Sequence, residues 1–204
     1  MNLFTYSNFF EELFKDDYEK ILDSLKEFIL SVGPKLGKDY KKVPKKEIWI
    51  HKSSTVSDTV SITGPCIIME NARLDNNAVI RENVIIGPNS YVGNSSEVKN
   101  SILLDTVKLP HFNYVGDSIL GSHVHFGAGA IVSNYRLDRR DATNKRRKLG
   151  AFIGDYCEVG CNSVICPGTT IYKNVTIYPL VMVRKVIPEN SIVKGNVIVK
   201  KEIR

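Results

Sequence analysis

A hydrophobic residue returns at every sixth position over most of this chain, and this repeat constrains the fold more than any other feature. It runs through nine hexads, continues after two five-residue steps, and resumes after a gap of about twenty residues. The repeated residues are Ile50, Val56, Ile62, Ile68, Leu74, Ile80, Ile86, Val92 and Val98, then Leu103, Leu109, Val115, Leu120, Phe126 and Val132, and finally Ile153, Val159, Ile165, Ile171, Ile177 and Val183. A single hexad cannot bury its hydrophobic residue, so hexads must stack on one another.

This pattern predicts a mainly β fold, a parallel β-helix in which each hexad forms one flat face and three faces close one coil. Small or branched residues fill the position four later in most hexads of the middle section: Val84, Ser90, Ser96, Val107, Val124 and Ala130. Polar residues such as Asn between the hexads suit the corners.

The register of the coils places particular side chains together. Ile80, Val98, Val115 and Val132 should stack on one face at about 4.8 Å. Arg81 and Lys99 then become neighbours, Asn134 lies further along the same wall, Tyr114 ends the preceding face, and His111 lies on that preceding face. We expect no acid between the two cations, so an anion such as a phosphate would relieve their repulsion. The alternative is that both simply point into water.

The N-terminal part of the chain has a different period. Between Phe9 and Val32 apolar residues return every three or four positions, which predicts amphipathic helix, broken near Asp16 or Asp17 and stopped by the Gly-Pro pair that follows. Because a solenoid needs its terminal coil covered, we expect this segment to cap the end of the β-helix. A partner-binding role is the alternative.

Two structural units are therefore predicted. Residues 1–46 form a helical cap and a charged linker, and residues 47–204 form the β-helix. A loop excursion at residues 134–152 interrupts the repeat, and repeat proteins place such insertions on a binding face. The tail from residue 186 has lost the repeat and should leave the last coil as a strand or short cap.

The net charge of +6 is concentrated in the excursion. Residues 136–150 hold seven Lys or Arg against two Asp, which leaves a net charge of +1 for the rest of the chain. A nucleic-acid-binding surface needs a wider basic stripe, so no nucleic-acid partner is expected. We hypothesise that these cations, Arg146, Arg147 and Lys148 among them, reach over a binding site and attract anions.

The cysteines and the apolar runs indicate the cellular setting. Four cysteines lie within the repeat without a C-x-x-C pair, which predicts reduced core or turn residues: Cys66, Cys157, Cys161 and Cys166. The longest apolar runs are a few residues long, so we expect no membrane span, no secretory signal and a cytoplasmic location.

Four motifs within residues 78–135 carry a resemblance to a known family. They read AVIR, VGNSSEVK, PHFNYVGD and GAGAIVSNY, with 18 residues from Arg81 to Lys99 and 12 from Lys99 to His111. They resemble, at matching spacings, the A-x-x-R, V-G-N-x-x-E-x-K, G-H-x-x-Y-x-G-D and G-A-G-x-x-x-x-N-Y patterns of the acetyltransferase half of the bacterial bifunctional glucosamine-1-phosphate acetyltransferase/N-acetylglucosamine-1-phosphate uridyltransferase. Residues 146–155 are also similar to sugar-1-phosphate nucleotidyltransferases that end in an acetyltransferase β-helix.

The resemblance implies a left-handed parallel β-helix, assembled as a homotrimer with sites between subunits. It also implies acetyl-CoA-dependent N-acetylation of an amino-sugar 1-phosphate such as glucosamine 1-phosphate, as in UDP-N-acetylglucosamine biosynthesis. The transfer is direct, with His111 as the general base and without a metal, and imidazole suits that role because its pKa lies near working pH.

Further roles follow from the resemblance position by position. Arg81 and Lys99 match residues that hold the sugar phosphate, and the Gly127 and Ala128 backbone is expected to stabilise the oxyanion. The positions that match substrate-binding residues are Arg81, Glu97, Lys99, Tyr114, Asn134 and Tyr135, and those on the acetyl-CoA side are His125, Gly127, Ala128 and Cys161.

The chain differs from the family at three positions near the base and the donor. Pro110 stands in place of a glycine, His125 in place of an asparagine and Cys161 in place of a serine. Residues 1–47 contain no glycine-rich nucleotide-binding loop, so a likeness to UDP-N-acetylglucosamine pyrophosphorylases does not imply their activity.

Two alternatives come from other functional classes. A non-catalytic sugar-phosphate-binding or scaffold β-helix would keep the phosphate site and release no thiol from acetyl-CoA. A metal-dependent carbonic anhydrase would use His111, His123 and His125, but the resemblance assigns His111 elsewhere and no partner stands at ligand spacing. Metal analysis separates the second alternative from the acetyltransferase.

Overall fold

The computed structural model describes residues 3–11, 13–15, 17–137 and 148–202. Within them it contains three short 3-10 turns (Asn8–Phe10, Leu13–Lys15 and Gly33–Lys35), one α-helix, α1 (Tyr18–Val32), and 25 β-strands. The strands are β1 (Tyr40–Lys42), β2 (Ile48–His51), β3 (Thr55–Val56), β4 (Ser61–Ile62), β5 (Cys66–Ile68), β6 (Arg73–Leu74), β7 (Val79–Ile80), β8 (Val84–Ile86), β9 (Tyr91–Asn94), β10 (Glu97–Lys99), β11 (Ser101–Leu103), β12 (Lys108–His111), β13 (Tyr114–Gly116), β14 (Ile119–Leu120), β15 (His125–Phe126), β16 (Ile131–Val132), β17 (Ala151–Ile153), β18 (Glu158–Val159), β19 (Val164–Ile165), β20 (Thr169–Ile171), β21 (Thr176–Ile177), β22 (Met182–Val183), β23 (Val186–Ile187), β24 (Ser191–Lys194) and β25 (Val197–Lys200).

These strands form three sheets that run the length of the molecule. Sheet A contains β1 and β2 and then every third strand from β5 to β23, sheet B contains every third strand from β3 to β24 and then β25, and sheet C contains every third strand from β4 to β22. Consecutive coils pair in parallel, with antiparallel pairs of β1 with β2 and of β24 with β25 at the two ends. The mainly β class and the left-handed parallel β-helix are confirmed.

The predicted register and core are also confirmed. Val98 pairs with Ile80 and with Val115, and Val115 pairs with Val132, in adjacent strands of sheet C. From Ile68 onward the repeated residues are buried in one hydrophobic cluster inside the coils. The first three repeated residues are partly buried because they lie at the end of the stack.

Nearly every corner holds one residue in the left-handed backbone region. These residues are Asn71, Asn77, Asn83, Asn89, Ser95, Asn100, Thr106, Phe112, Asp117, His123, Gly129, Tyr156, Asn162, Gly168, Asn174, Leu180, Lys185 and Asn190. Asparagine is the most frequent because its short polar side chain tolerates this conformation. Of the bulky exceptions, His123 and Tyr156 stack at a centroid distance of 4.8 Å, whereas Phe112 and Leu180 project into solvent.

The N-terminal helix lies on the side of the β-helix, so the prediction that it caps the end is wrong. One helix face is buried against the outer face of sheet A. The helix contributes Ile21, Leu22, Leu25 and Ile29, and the sheet contributes Trp49, Ile67, Ile85, Ile102, Ile119 and Phe152. The strands of sheet A from β2 to β17 are apolar on both faces, so the outer face needs a cover along these coils. A helix of 15 residues, about 22 Å long, spans several coils.

Local chemistry determines where the helix begins and ends. The Asp17 carboxylate accepts the Lys20 N–H at 3.0 Å and caps the N-terminus, so the predicted break falls at Asp17. The preceding residues form 3-10 turns instead of a second α-helix, and Asp16 lies outside the described residues. At Gly33, after the helix, a Cβ atom would lie 2.6 Å from the Trp49 ring, so glycine permits the close packing.

A buried carboxylate ties the first residues to the same side of the molecule. Asp155 is fully buried and accepts the backbone N–H groups of Thr5 at 2.8 Å and Ser122 at 2.9 Å. The Lys173 ammonium group lies 2.9 Å from the same carboxylate. Since every partner donates to it, the buried charge is compensated.

The connecting segments follow the predictions in part. The predicted linker contains β1, which pairs with β2 and so covers backbone groups at the edge of the first coil. The tail is predicted to leave the last coil at residue 186, but β23 and β24 continue the coil in parallel with β20 and β21. Only β25 departs from it, as the antiparallel partner of β24. The excursion leaves after β16 and returns at β17, and its two ends meet in a bridge between Tyr135 and Lys148. Residues 138–147, with Arg146 and Arg147, lie outside the described residues.

The cysteines are free, as predicted. Burial raises the pKa of the Cys66 and Cys157 thiols to about 12, whereas Cys161 is exposed. None of the described helices is long and apolar enough to cross a membrane.

The position of the helix predicts a contrast between two leucines on it. Leu25 is fully buried and Leu30 is 37% exposed. Leu25→Ala should lower the free energy of unfolding by about 2–5 kcal/mol, because it leaves a cavity between helix and sheet A. Leu30→Ala should change it by less than about 0.5 kcal/mol. Urea unfolding monitored by circular dichroism measures both, and equal effects would contradict the packing described.

Candidate functional site

Arg81 and Lys99 lie side by side on sheet C, as predicted. Pairing of Val98 with Ile80 fixes the register of their strands. Since Ile80 and Val98 point into the core, strand alternation turns the following residues outward. The Lys99 side chain is 13% exposed and that of Arg81 is 42% exposed.

Two carboxylates accompany these cations, so the expectation of no acid between them is wrong. The two carboxylate oxygens of Glu82 lie 3.5 Å from Arg81 Nε and 3.5 Å from Lys99 Nζ. Glu97 accepts a hydrogen bond from Arg81 Nη1 at 3.1 Å, and this bond raises the pKa of Arg81. We call Arg81, Glu82, Glu97 and Lys99 the charge cluster, which has no net charge when all four groups are ionised.

The electrostatics of Glu82 reflect these neighbours. Burial by itself would raise the pKa of the Glu82 carboxyl. Its own backbone N–H and the charges of Arg81 and Lys99 outweigh that effect, so the pKa is lowered. Glu82 is therefore an anion at neutral pH.

Glu82 stands where it does because of the two five-residue steps in the repeat. Both steps shorten the corner between sheets C and A, so the corner that contains Glu82 is one residue longer than the next two. Side-chain hydrogen bonds of 3.3 and 2.8 Å join the residues that stack at this corner: Asn83, Asn100 and Asp117. Glu82 has no counterpart in those two coils, and its carboxylate reaches Lys99 of the next coil.

Tyr114 and Asn134 meet over Gly116 on the same wall. Tyr114 pairs with Glu97 at the start of a sheet C strand instead of ending sheet B as predicted. Asn134 donates to the buried Asp117 carboxylate at 2.5 Å. A Cβ atom on Gly116 would lie 2.5 Å from Asn134 Nδ2 and 2.6 Å from the Tyr114 hydroxyl. Burial, and then the charge of Glu97, raise the pKa of Tyr114, so its hydroxyl stays protonated and can donate.

His111 lies at the other edge of sheet C. It ends β12 in sheet B, where it pairs with Asn94, and its imidazole is exposed. Its carbonyl accepts the Gly129 N–H at 3.0 Å. A hydrogen bond from Arg73 is the main cause that holds the pKa of the Asp75 carboxyl below its usual range, and the charge of His111 adds to it. The corner between sheets B and C therefore carries His111, and the corner between sheets C and A carries Arg81, Glu82 and Lys99.

Gly127, Ala128 and Cys161 gather near His111. The pairing of Lys108 with His125 places His111 beside Ala128 in the next coil. A Cβ atom on Gly127 would lie 2.8 Å from Cys161 Sγ, so these two residues touch. The Gly127 N–H donates to the Val159 carbonyl at 2.6 Å, so it is not available as the predicted oxyanion donor. Among the described residues no acceptor binds the Ala128 N–H.

The other two histidines considered as metal ligands, His123 and His125, lie at the corner before sheet B and on sheet B. His125 Nδ1 is 2.8 Å from the Glu158 carboxylate, beside a cavity of about 340 Å³. His123 stacks on Tyr156 at the rim of that cavity. In the part of the chain that the structure describes, no three His, Cys, Asp or Glu side chains could hold one metal ion together.

The predicted site residues thus fall into two groups and two outliers. Sheet C brings together Arg81, Glu97, Lys99, Tyr114 and Asn134, and the corner between sheets B and C brings together His111, Gly127, Ala128 and Cys161. Tyr135 lies at the root of the excursion and His125 on sheet B. Sequence reasoning missed Glu82 and Asp117, although the five-residue steps marked the corner where both lie.

Comparison with known proteins bears on this arrangement. A family model described as the GMPPB C-terminal domain matches residues 62–145. The bifunctional sugar-1-phosphate nucleotidylyltransferase/acetyltransferase of Sulfurisphaera tokodaii is 37% identical over 143 residues, 57% of this chain and 36% of that protein. The bifunctional protein GlmU of Methanococcus maripaludis is 35% identical over 148 residues, 60% of this chain and 36% of that protein. The resemblance predicted from the motifs is confirmed.

These similarities cover only part of each relative. The matched part is about a third of the length of both relatives, so their whole activities are proposals for this chain. Among solved structures, the acetyltransferase domain of PglB from Neisseria gonorrhoeae, in complex with acetyl coenzyme A, is 19% identical with a TM-score of 0.31. That match covers 76% of this chain and 57% of the PglB chain.

The contact over Gly116 predicts a specific substitution effect. Gly116→Ala should push the Asn134 amide away from Asp117 and lower the free energy of unfolding by about 1–3 kcal/mol, because a buried carboxylate loses a donor. Gly37→Ala is the matched control, since nothing lies within 4 Å of a Cβ atom there. Thermal unfolding measures both, and an unchanged midpoint for Gly116→Ala would show that the wall adapts without strain.

Proposed function

We propose that this protein is an acetyl-CoA-dependent N-acetyltransferase that acts on an amino-sugar 1-phosphate such as glucosamine 1-phosphate. The observation that carries the proposal is the register of sheet C, which sets Arg81 beside Lys99 with Tyr114 and Asn134 on the same wall. Those residues occupy the positions that the motif resemblance assigns to the sugar phosphate. The name of the Sulfurisphaera tokodaii relative, a sugar-1-phosphate nucleotidylyltransferase/acetyltransferase, supports the same class of reaction.

Arg81 and Lys99 are the groups suited to the phosphate. A guanidinium group and an ammonium group on adjacent strands can each donate to a different oxygen of one phosphate, and charge-assisted hydrogen bonds are the strong ones. Tyr114 stays protonated and can donate to a sugar oxygen, while Asn134 is held in place by Asp117.

His111 is proposed as the general base. The amine nitrogen of the acceptor attacks the thioester carbonyl carbon of acetyl-CoA, and the imidazole takes the proton that the nitrogen loses. The carbon–sulfur bond then breaks, and coenzyme A leaves as a thiol once its sulfur is protonated. The Ala128 N–H, beside His111 in the next coil, is the backbone donor proposed to face the oxyanion.

The proposed site needs more than one copy of the chain. His111 and the cations Arg81 and Lys99 lie at opposite edges of sheet C. We therefore propose that the His111 that meets the acceptor amine and the Arg81 that binds its phosphate come from neighbouring subunits. An exposed apolar strip runs along the edge of sheet C that carries His111. It consists of Phe112, Ile131, Val164, Leu180 and Met182. Ile131, Val164 and Met182 stack in register, and a second copy of the chain would remove all five from water. A closed homotrimer satisfies both requirements.

One observation favours a second candidate, a sugar-phosphate-binding β-helix without catalysis. The Gly127 N–H and the His125 imidazole, both expected on the donor side, are engaged by Val159 and Glu158. Release of free thiol from acetyl-CoA in the presence of glucosamine 1-phosphate is expected of the enzyme and not of the binding protein.

Two substitutions should separate the roles of base and phosphate site. His111→Ala should lower turnover about a hundredfold or more and leave acceptor affinity intact, because only the proton acceptor is lost. Arg81→Ala should weaken binding of glucosamine 1-phosphate about tenfold to a hundredfold, because a charge-assisted contact of about 1.5–3 kcal/mol is lost. Titration calorimetry and acetyl-transfer rates measure the two effects. Full turnover by His111→Ala would refute the mechanism.

Assembly gives a further prediction. The mass in solution should be three times the 22.9 kDa of one chain. Val164→Asp should dissociate the assembly, because it places a charge in the apolar strip, whereas Val197→Asp on the exposed face of the β24–β25 hairpin should not. Light scattering coupled to size-exclusion chromatography measures this. A single-chain mass for the unmodified protein would overturn the proposed shared site.

A further inference from the structure

The Glu82 carboxylate has the geometry of a bridging anion. Its two oxygens lie 3.5 Å from Arg81 Nε and 3.5 Å from Lys99 Nζ, one oxygen toward each cation. Strong charge-assisted hydrogen bonds are about 2.7–2.9 Å long, so Glu82 is held loosely between them. Glu97 is nearer to Arg81, at 3.1 Å, and contacts one cation of the pair.

Charge balance shows why this matters for an incoming phosphate. With both acids ionised the charge cluster is neutral, so a phosphate dianion would gain little attraction while Glu82 stays in place and would be repelled by it. If the Glu82 side chain swings away, two cations face the ligand with one remaining acid. Binding of a dianion therefore requires exchange of one anion for another.

The position of Glu82 allows that exchange. Its side chain is 37% exposed and belongs to the residue that has no counterpart in the next two coils. The backbone is fixed, because the Glu82 carbonyl accepts the Asn100 N–H at 2.9 Å. The carboxylate can leave the cation pair by side-chain rotation, without any change in the coil.

We propose that Glu82 is a built-in competitor for the anion site, and that it determines which acceptors bind. It occupies the place between Arg81 and Lys99 that the acceptor phosphate takes, a role that rests on the proposed phosphate site. A phosphate dianion carries enough charge to displace the carboxylate. A singly charged group, such as the carboxylate of an acidic sugar, carries no more negative charge than the Glu82 carboxylate. It therefore does not displace Glu82 and does not bind.

Titration calorimetry of the full chain with inorganic phosphate and with acetate, at pH 8, tests this proposal. Glu82→Gln should bind phosphate on the order of threefold to tenfold more tightly and should narrow the preference for phosphate over acetate, because two partly exposed ion pairs no longer compete. Glu47→Gln is the matched control, since it removes the same charge from the Lys42–Glu47 pair, 2.9 Å apart on another sheet. It should change phosphate affinity less than about twofold.

Steady-state kinetics separate competition from a merely structural role. Glu82→Gln should lower the Michaelis constant for the sugar phosphate by a larger factor than it changes turnover, and Glu82→Asp, with a shorter reach, should fall in between. Weaker phosphate binding by Glu82→Gln would mean that Glu82 holds the cations in place, which overturns the proposal. If the unmodified protein and Glu82→Gln bind phosphate equally and Arg81→Ala binds it more weakly, the competitor role is overturned but the proposed phosphate site is supported. If neither the unmodified protein nor any of these variants binds phosphate, the proposed phosphate site is refuted as well.

Discussion

The stacking of parallel strands in register is the constraint on which the rest of this structure depends. Each coil pairs with the next so that Ile80, Val98, Val115 and Val132 form one buried column, and the residues beside them must form columns as well. Arg81 and Lys99, 18 positions apart in the sequence, thus become neighbours because of the backbone register and not because of a contact between their side chains. A shift of the register by one residue would turn these cations inward, and burial of the apolar column prevents that.

The three faces of the coil have different surroundings, and this difference positions the site. Sheet A is covered by the N-terminal helix, whose Leu25 and Ile29 pack on outward residues such as Ile85. Sheet B is largely polar outside, and sheet C carries the charge cluster on its early coils and apolar side chains on its later ones. Because the helix covers sheet A, that sheet is buried outside, whereas the apolar part of sheet C is exposed.

The charge cluster shows how an irregularity in a repeat acquires chemistry. In a perfect repeat, each following coil would hold a residue stacked on Glu82. The Glu82 carboxylate would then contact the side chain of that residue instead of Lys99. The shortened corners remove that residue, which lets one acid span two cations. At the same corner the Asp117 carboxylate accepts hydrogen bonds from the side-chain amides of Asn100 and Asn134, which ties neighbouring coils together.

The sequence by itself determined the β-helix, its register and the pairing of Arg81 with Lys99, because these follow from periodicity alone. The motif spacing predicted a set of site residues, which the structure places in two groups along sheet C. The face against which the helix packs was also readable from the sequence, since an apolar residue precedes the repeated one in the six strands of sheet A from β2 to β17, as Trp49 and Ile67 do. Only the tertiary structure decided that Glu82 bridges the cations and that the Gly127 N–H is used inside the fold, because both depend on where a side chain or carbonyl of another coil comes to lie.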